Sequence, residues 1–325
     1  MVSGLAVALL LGAGGPVAQA EGVFRVATYN VENYLDQPTE SRPHIKSSEA
    51  KAKIRESIRA LNPDVLALEE MGGTHALLEL RAALRAEGLD FPYWDHLSGV
   101  DTNIHIAVLS RFPLVARHPH TNEQFLLGGR RFGVGRGFSE LEIQVGPKTS
   151  FTLLAAHLKS RRPVPEADEA ELRLQEARAL RGIIDAHFRA DPERRLIVLG
   201  DFNDVKNSPS LKAILGRGKF KLRDARPAER NGDTAPHPNP HQDPRTVTWT
   251  YYYGQEDTYT RIDYILMSPA MARDWVTDDS YVLTLPDWGT GSDHRPILAT
   301  FKKTPAPARP FHPRAASVHK EFLAP

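Results

Sequence analysis

Leu196-Ile197-Val198-Leu199-Gly200-Asp201-Phe202-Asn203-Asp204 is the stretch that decides the fold. Four apolar residues, two of them β-branched, read as a short strand buried on both faces. Gly200 ends the run, and polar side chains follow at once. If strand geometry persists, Asp201 and Asn203 point the same way, two residues apart. Asp201 can take a proton or hold a cation. Asn203 can donate and accept while staying neutral beside an anion. Such a pair suits holding a water next to a phosphate oxygen. The plainer alternative is an Asx-type turn closing a strand, so the rest of the chain must supply the context.

Outward from this strand, the same arrangement recurs. Gly22–Val31 alternates as a strand and reaches Asn30, with Glu32 and Asn33 just beyond. Residues 36–47 are polar and contain Pro38 and Pro43, which predicts a loop. Ser47 or Ser48 caps a predicted helix with Ile54, Ile58 and Leu61 on one face, stopped by Asn62-Pro63. Val65-Leu66-Ala67-Leu68 is a second buried strand running into Glu69-Glu70. Adjacent carboxylates there point to opposite faces, one toward the core or a site. The alternative is one exposed Glu and one that caps a helix starting near Thr74.

Asn103–Ser110 reads as a strand. Residues 125–137 hold Arg130, Arg131 and Arg136 among glycines, and predict a mobile loop or hairpin tip. These arginines grip phosphates or form a solvated basic face. Phe138–Val145 and Phe151–Leu158 read as a hairpin across Gly146-Pro147 that ends at His157. Lys159, Ser160, Arg161 and Arg162 follow, a basic cluster suited to an anion. A long helix is predicted from about Glu166 to Arg189, with Leu180, Ile183, Ile184 and Phe188 in register.

After the central strand, residues 226–247 are rich in Pro, His, Asn and Asp. His237, His241 and Asp243 read as a polar loop, with a metal cluster as the alternative. Thr248–Tyr253 is aromatic and strand-like; Trp249 and Tyr251 either pack the sheet or stack on a base or sugar. Arg261–Met267 is a strand carrying Asp263 between apolar neighbours, where an acid is costly unless paired. Asp293 and His294 lie at a loop–strand junction before the last strand, Ile297–Phe301, a pairing suited to metal binding and proton transfer.

Composition is that of an ordinary soluble globular protein: 41 basic against 40 acidic residues in 325, and no cysteine. Composition gives no case for a strongly cationic nucleic-acid binder, though a local basic patch remains open, and the absence of cysteine excludes a disulfide scaffold. Val2–Ala18 is apolar or small, and Ala18-Gln19-Ala20 resembles a cleavage site. Residues 1–20 therefore read as a signal peptide, with an uncleaved anchor as the alternative. The expected organisation is this signal peptide, a catalytic domain over 21–302, and a Pro-rich basic tail over 303–325 that stays disordered. A secreted or periplasmic location follows, without stable membrane insertion after cleavage, and a monomer is expected.

The polar residues share one address, the ends of buried strands. Carboxylates with amide oxygens suit a hard cation such as Mg²⁺, with Mn²⁺ or Ca²⁺ as alternatives, and Glu70 is the strongest ligand candidate. Seven stretches taken together resemble the endonuclease/exonuclease/phosphatase superfamily. They are ATYNVEN (27–33), DVLALEEM (64–71), AVLSRFP (107–113), AAHLKSR (155–161), LGDFND (199–204), RIDYIL (261–266) and GSDHRPI (291–297). Pancreatic-type DNases, abasic-site endonucleases, neutral sphingomyelinases and inositol polyphosphate 5-phosphatases share this fold. The resemblance implies a four-layer α/β sandwich of the DNase I-like kind, two mixed β-sheets packed face to face with helices outside. It also implies roles: Asn30, Glu70 and Asp293 at the metal, Asp201 and Asn203 on the nucleophilic water and phosphate, His294 as base or phosphate stabiliser oriented by Asp263, and His157 on the phosphate.

The resemblance implies phosphoester hydrolysis more firmly than it implies a substrate. A secreted nuclease acting on DNA or RNA is the first expectation, with Arg130, Arg131, Arg136, Lys159 and Arg161 as substrate contacts. A sphingomyelinase-like or small-molecule phosphodiesterase is the second, favoured by any exposed aromatic hairpin. A non-catalytic binding module is a third; the occupied motif positions argue against it.

Overall fold

In the computed structural model, residues 22–229 and 249–304 are described. The signal-peptide reading of residues 1–20, His237, His241 and Asp243, and all of the Pro-rich tail beyond Thr304 lie outside them. The first half of the chain forms β1 (Val23–Tyr34), α1 (Ser48–Leu61), β2 (Val65–Met71), α2 (Thr74–Ala86), β3 (Tyr93–Leu97), β4 (His105–Ser110) and β5 (Leu114–His120). A small hairpin, β6 (Gln124–Leu127) and β7 (Arg130–Gly133), precedes β8 (Phe138–Gly146), β9 (Thr149–Ala156) and the long α3 (Glu169–Ala190). Next come β10 (Leu196–Asp201), α4 (Pro209–Leu215), β11 (Arg223–Asp224) and β12 (Ala228–Glu229). The chain closes with β13 (Tyr251–Tyr253), β14 (Thr258–Thr260), β15 (Asp263–Met267), α5 (Pro269–Ala272), β16 (Trp275–Val282) and β17 (Ile297–Lys302).

Two large sheets result, ordered β12-β16-β17-β1-β2-β4-β3 and β11-β15-β10-β9-β8-β5. Each is mixed. β1 runs parallel to β2 and antiparallel to β17, while β10 runs parallel to β9 and antiparallel to β15. Alternation along β10 shows why the sheets stack. Ile197 and Leu199 pack between the sheets with Phe24, Val26, Ala67, Val108 and Ile265. Leu196 and Val198 face the other way, against Leu180, Ile184 and Phe188 of α3 and Leu211 of α4. On the far side, Ile54, Ile58 and Leu61 of α1 and Leu77, Leu80 and Leu84 of α2 cover Leu66 and Leu68. Helix, sheet, sheet and helix give four layers, the expected sandwich. Both-face burial explains why β2 and β10 read as continuous apolar runs rather than alternating ones. Each fully buried Leu or Ile contributes roughly 1.5–3 kcal/mol.

The ends of helices follow local chemistry. Ser47 caps α1 through the amide of Ala50, Asp168 caps α3 through Glu171, and Ser208 caps α4 through Leu211. The predicted helices and hairpin are present, with α3 starting at Glu169 and the 125–137 region forming the β6–β7 hairpin.

Chain direction places the site. The parallel strands β1, β2, β9 and β10 end at one edge of the sandwich. β15, antiparallel to β10, begins there, with Asp263 paired to Asp201. β17 begins there too, with Ile297 opposite Thr28. Asn30, Glu69, Glu70, His157, Asp201, Asp263 and His294 are thus delivered to one edge by topology alone.

Candidate active site

Gly200 lets the two sheets' polar ends approach. Its φ is +129°, and a Cβ there would lie 2.0 Å from the Ala156 carbonyl oxygen and 3.1 Å from Glu69 Oε1. The residue after it, Asp201, is the hub. Asn30 Nδ2 donates to its Oδ2 at 3.0 Å, and the Asn203 amide donates to its Oδ1 at 2.8 Å. Asn203 Nδ2 also donates to the Leu158 carbonyl (3.0 Å) and toward Asp201 Oδ2 (3.2 Å). His157 Nε2 lies 3.5 Å and His294 Nε2 3.8 Å from Asp201 Oδ2. Asn203 adopts φ +52°, a left-handed conformation that turns its side chain back on Asp201.

Asp263 solves the problem of its own burial by pairing. Its Oδ2 accepts from His294 Nδ1 at 2.9 Å, both side chains being nearly inaccessible. Burial works against a charged His294, but Asp263, then Asp201 and Asp293, outweigh it and lift the imidazole well above its usual range. His157 goes the other way. Burial first, then the cations Arg136, His294 and Arg42, hold it neutral. Asp201 is pushed up to about 7, by burial foremost. The hub therefore pairs a carboxylate poised near neutrality with an imidazole held in its cationic form.

A second acidic group lies beside it. Burial raises the Asp293 carboxyl to about 6, and Glu32 and Glu70 push in the same direction. Glu70 Oε2 accepts from the Asn33 amide at 3.0 Å. Glu32, Asn33 and Glu70 all have positive φ, at register shifts in β1 and β2 that re-aim the strand ends. Lys46 Nζ donates to the Glu32 carbonyl at 2.6 Å and lies 3.4 Å from its carboxylate. Glu32 and Glu70 act on Asp293 through charge, and carboxylate oxygens are the donor type a hard divalent cation takes. Asp201, Asp263 and His294 also bring donor atoms within 4.8 Å of one another. There the Asp263–His294 hydrogen bond already uses the imidazole Nδ1, so that trio suits proton handling better than metal binding.

The adjacent glutamates divide as their alternation predicts. Glu69 is wholly buried and accepts from Thr28 Oγ1 at 2.7 Å. Burial raises it well above the usual carboxylate range, with Asp263 and Asp201 adding to the rise, so it is a neutral acid beneath the hub. Glu70 is only partly buried.

The basic residues separate. Arg136 donates to the Leu158 carbonyl (3.0 Å) beside Asp101, and Arg161 donates to the Asn203 carbonyl (3.2 Å); both border the hub. Lys159 folds back onto the carbonyls of Ser160 and Arg162. Arg130 and Arg131 sit on the exposed β6–β7 hairpin, bonded to the Glu166 carbonyl and to Gln124. Four residues without an expected role also matter. Arg42 and Lys46 come from the predicted loop, Arg42 bonding Asn33 and acting on His157. Glu32 joins the acidic group. Ser292 locks the junction, donating to the Asn30 carbonyl (2.7 Å) and accepting from the His294 amide (3.0 Å). Only Glu32 and Ser292 carried a signal, their place inside the quoted stretches.

Tyr251 packs on the His294 ring, centroids 4.7 Å apart, and the β13–β14 hairpin continues outward through Tyr252, Tyr253 and the half-exposed Tyr259.

A model of the Endonuclease/Exonuclease/phosphatase family matches residues 27–294. No curated protein matches the sequence. Among solved structures, sphingomyelinase C from Streptomyces griseocarneus is similar at 19% identity and a TM-score of 0.57, covering 86% of this chain and 99% of that one. Truncated TDP2 from Caenorhabditis elegans is similar at 17% identity and a TM-score of 0.57, covering 86% and 97%. The human Nocturnin catalytic domain, solved with a sulfate anion, is similar at 16% identity and a TM-score of 0.58, covering 87% and 95%. At such identities the likeness establishes the fold.

Proposed function

The chain belongs to the endonuclease/exonuclease/phosphatase family and is a hydrolytic phosphoesterase, and from that premise we propose that it is a secreted nuclease that cleaves a nucleic-acid phosphodiester by in-line attack of water. The observation that carries the chemistry is the Asp201 hub, with Asn30, Asn203, His157 and His294 all directed at one carboxylate.

Asp201 takes the proton of the attacking water through Oδ2. A carboxylate poised near neutral pH is suited to that task. Asn203 and Asn30 fix the carboxylate's orientation. His294, cationic and held by Asp263 at Nδ1, presents Nε2–H to a phosphoryl oxygen as negative charge builds there. Neutral His157 offers a second ring donor. The new bond joins the water oxygen to phosphorus, and the bond from phosphorus to the departing oxygen breaks. Glu32, Glu70 and Asp293, with Asn30 alongside, would hold a hard divalent cation such as Mg²⁺, which would supply charge neutralisation on the phosphate.

Arg42, Arg136 and Arg161 around the hub support a polyanionic substrate, and the leader-like residues 1–20 support export. One observation favours a second reading. The aromatic β13–β14 hairpin flanks His294 with Tyr259 53% exposed, which suits an interfacial lipid phosphodiester. Plasmid DNA, single-stranded RNA and sphingomyelin vesicles offered side by side in Mg²⁺ separate the two. EDTA-sensitive cutting of either nucleic acid supports the nuclease. Turnover of sphingomyelin alone replaces it with the lipid enzyme.

A further inference from the structure

The long helix α3 breaks its own pattern. Its inward stripe is apolar through Leu180, Ile184 and Phe188, but toward its start the same stripe carries Arg173 and Glu176, both 4% exposed. Charged side chains are rarely so buried unless they are paired. Glu176 directs its two oxygens at two separate loops. Oε1 accepts from the Gly135 amide at 3.1 Å, and Oε2 accepts from the Lys159 amide at 2.6 Å. Arg173 donates through Nη1 to the carbonyls of Lys159 (3.2 Å) and Ser160 (3.3 Å), and through Nε to Asp204 (3.3 Å).

Both loops lead to the hub. Gly135 precedes Arg136. The Lys159 amide belongs to the same planar peptide as the Leu158 carbonyl, and holding the N–H end of a trans peptide fixes where its C=O end points. That carbonyl accepts from Arg136 Nη1 and from Asn203 Nδ2, each at 3.0 Å. The Gly135–Arg136 bend is also pressed from behind. The Asp101 amide donates to the Gly135 carbonyl at 2.8 Å, and a Cβ on Gly99 would lie 2.5 Å from the Arg136 carbonyl carbon. Burial raises the Glu176 carboxyl, while the Gly135 amide, Arg136 and the Lys159 amide act against that rise.

We propose that Glu176 is a positioning residue for the phosphodiester reaction. From α3 it sets the Leu158–Lys159 peptide and the Gly135–Arg136 bend, and through them the placement of Arg136 and Asn203 at the hub. Arg173 holds the next peptide and Asp204 in the same way. The inference rests on the Asp201-hub reading given above. A carboxylate suits this place because it only accepts; a glutamine of the same size has one acceptor oxygen, so one amide would face an NH₂ group. The loop it holds then shifts, and a misplacement of about 1 Å can lower a rate on the order of 10²-fold.

The test is kcat/KM for bis-p-nitrophenyl phosphate in magnesium, measured for the purified wild type, Glu176→Gln, Arg136→Ala and the double variant, with circular dichroism as the check on folding. Glu176→Gln is expected to lose about 10–10²-fold. The double variant should lose less than the product of the two single losses, by about threefold or more. A side chain that only ties helix to loop would lower the denaturation midpoint, and its effect would multiply in full with that of Arg136→Ala. Glu176→Asp, which keeps the charge but is one methylene too short to reach both amides, carries the same comparison should Glu176→Gln not fold. A folded Glu176→Gln protein at wild-type kcat/KM, or losses that multiply in full, overturns the proposal and leaves the hub reading standing. A wild type that does not turn over the ester removes the hub reading, and this proposal with it.

Discussion

At the scale of single residues, the two adjacent glutamates make the sharpest contrast. Glu69 is buried as a neutral acid bonded to Thr28, so a neutral isostere should replace it. Glu70 acts on Asp293 through charge together with Glu32, in the cation site proposed above. Glu69→Gln is expected to keep activity within about threefold and Glu70→Gln to lose about 10²-fold or more, measured as kcat/KM at saturating magnesium. Equal losses would place both in the same role. The hub also sets a pH profile. Asp201 must be ionised to accept a proton, and its carboxyl sits at about 7, so kcat/KM should rise with pH through that region. His294 must stay cationic, and Asp263 raises it well above the usual imidazole range, so activity should fall again only at higher pH. Asp263→Asn removes the carboxylate holding that proton. It should move the high-pH limb downward and lower kcat by about 10²–10⁴-fold. An unmoved limb would assign the limb to another group.

At the scale of elements, strand ends do the positioning, and Gly200 is where they meet. Its positive φ and the 2.0 Å approach of the Ala156 carbonyl leave no room for a methyl group. Gly200→Ala should cost about 1–3 kcal/mol or more by forcing β9 and β10 apart, and it should lower activity through Asp201 on the same turn. Chemical denaturation checks this; an unchanged midpoint would mean the turn relaxes freely. Elements with continuous apolar runs or clear caps were legible from sequence: β2, β10, β15, α1 and α3. β5 was not, because its Arg117-His118-Pro119-His120 end is polar at a sheet edge. β16 was hidden by Thr277-Asp278-Asp279 at its centre, where the register shifts against β17. The loop over residues 36–47 was legible as a loop, yet nothing local showed that Arg42 and Lys46 would fold back onto Asn33 and Glu32.

At the scale of the molecule, the sandwich works as a delivery device. Parallel strand pairs in each sheet end on one edge, and their antiparallel neighbours begin there. Residues as distant as Asn30 and Asp201 are therefore brought within a hydrogen bond. The edge could be anticipated because Asn30, Glu70, His157 and Asp201 close apolar runs, while Asp263 and His294 stand where later strands begin. What could not be read was the charge state, since neutral Glu69 and cationic His294 depend on burial and on neighbours from other strands. Among the described residues no helix is long and apolar enough to cross a membrane. The central claim is metal-dependent phosphodiester hydrolysis at the Asp201 hub. Its most direct test is turnover of bis-p-nitrophenyl phosphate by the purified protein, with and without EDTA, beside Asp201→Asn with circular dichroism as the control for folding. Turnover that EDTA abolishes, and that the folded Asp201→Asn variant loses by about 10³-fold or more, is the predicted result. Turnover that persists in EDTA, or a folded Asp201→Asn protein as active as wild type, would contradict it.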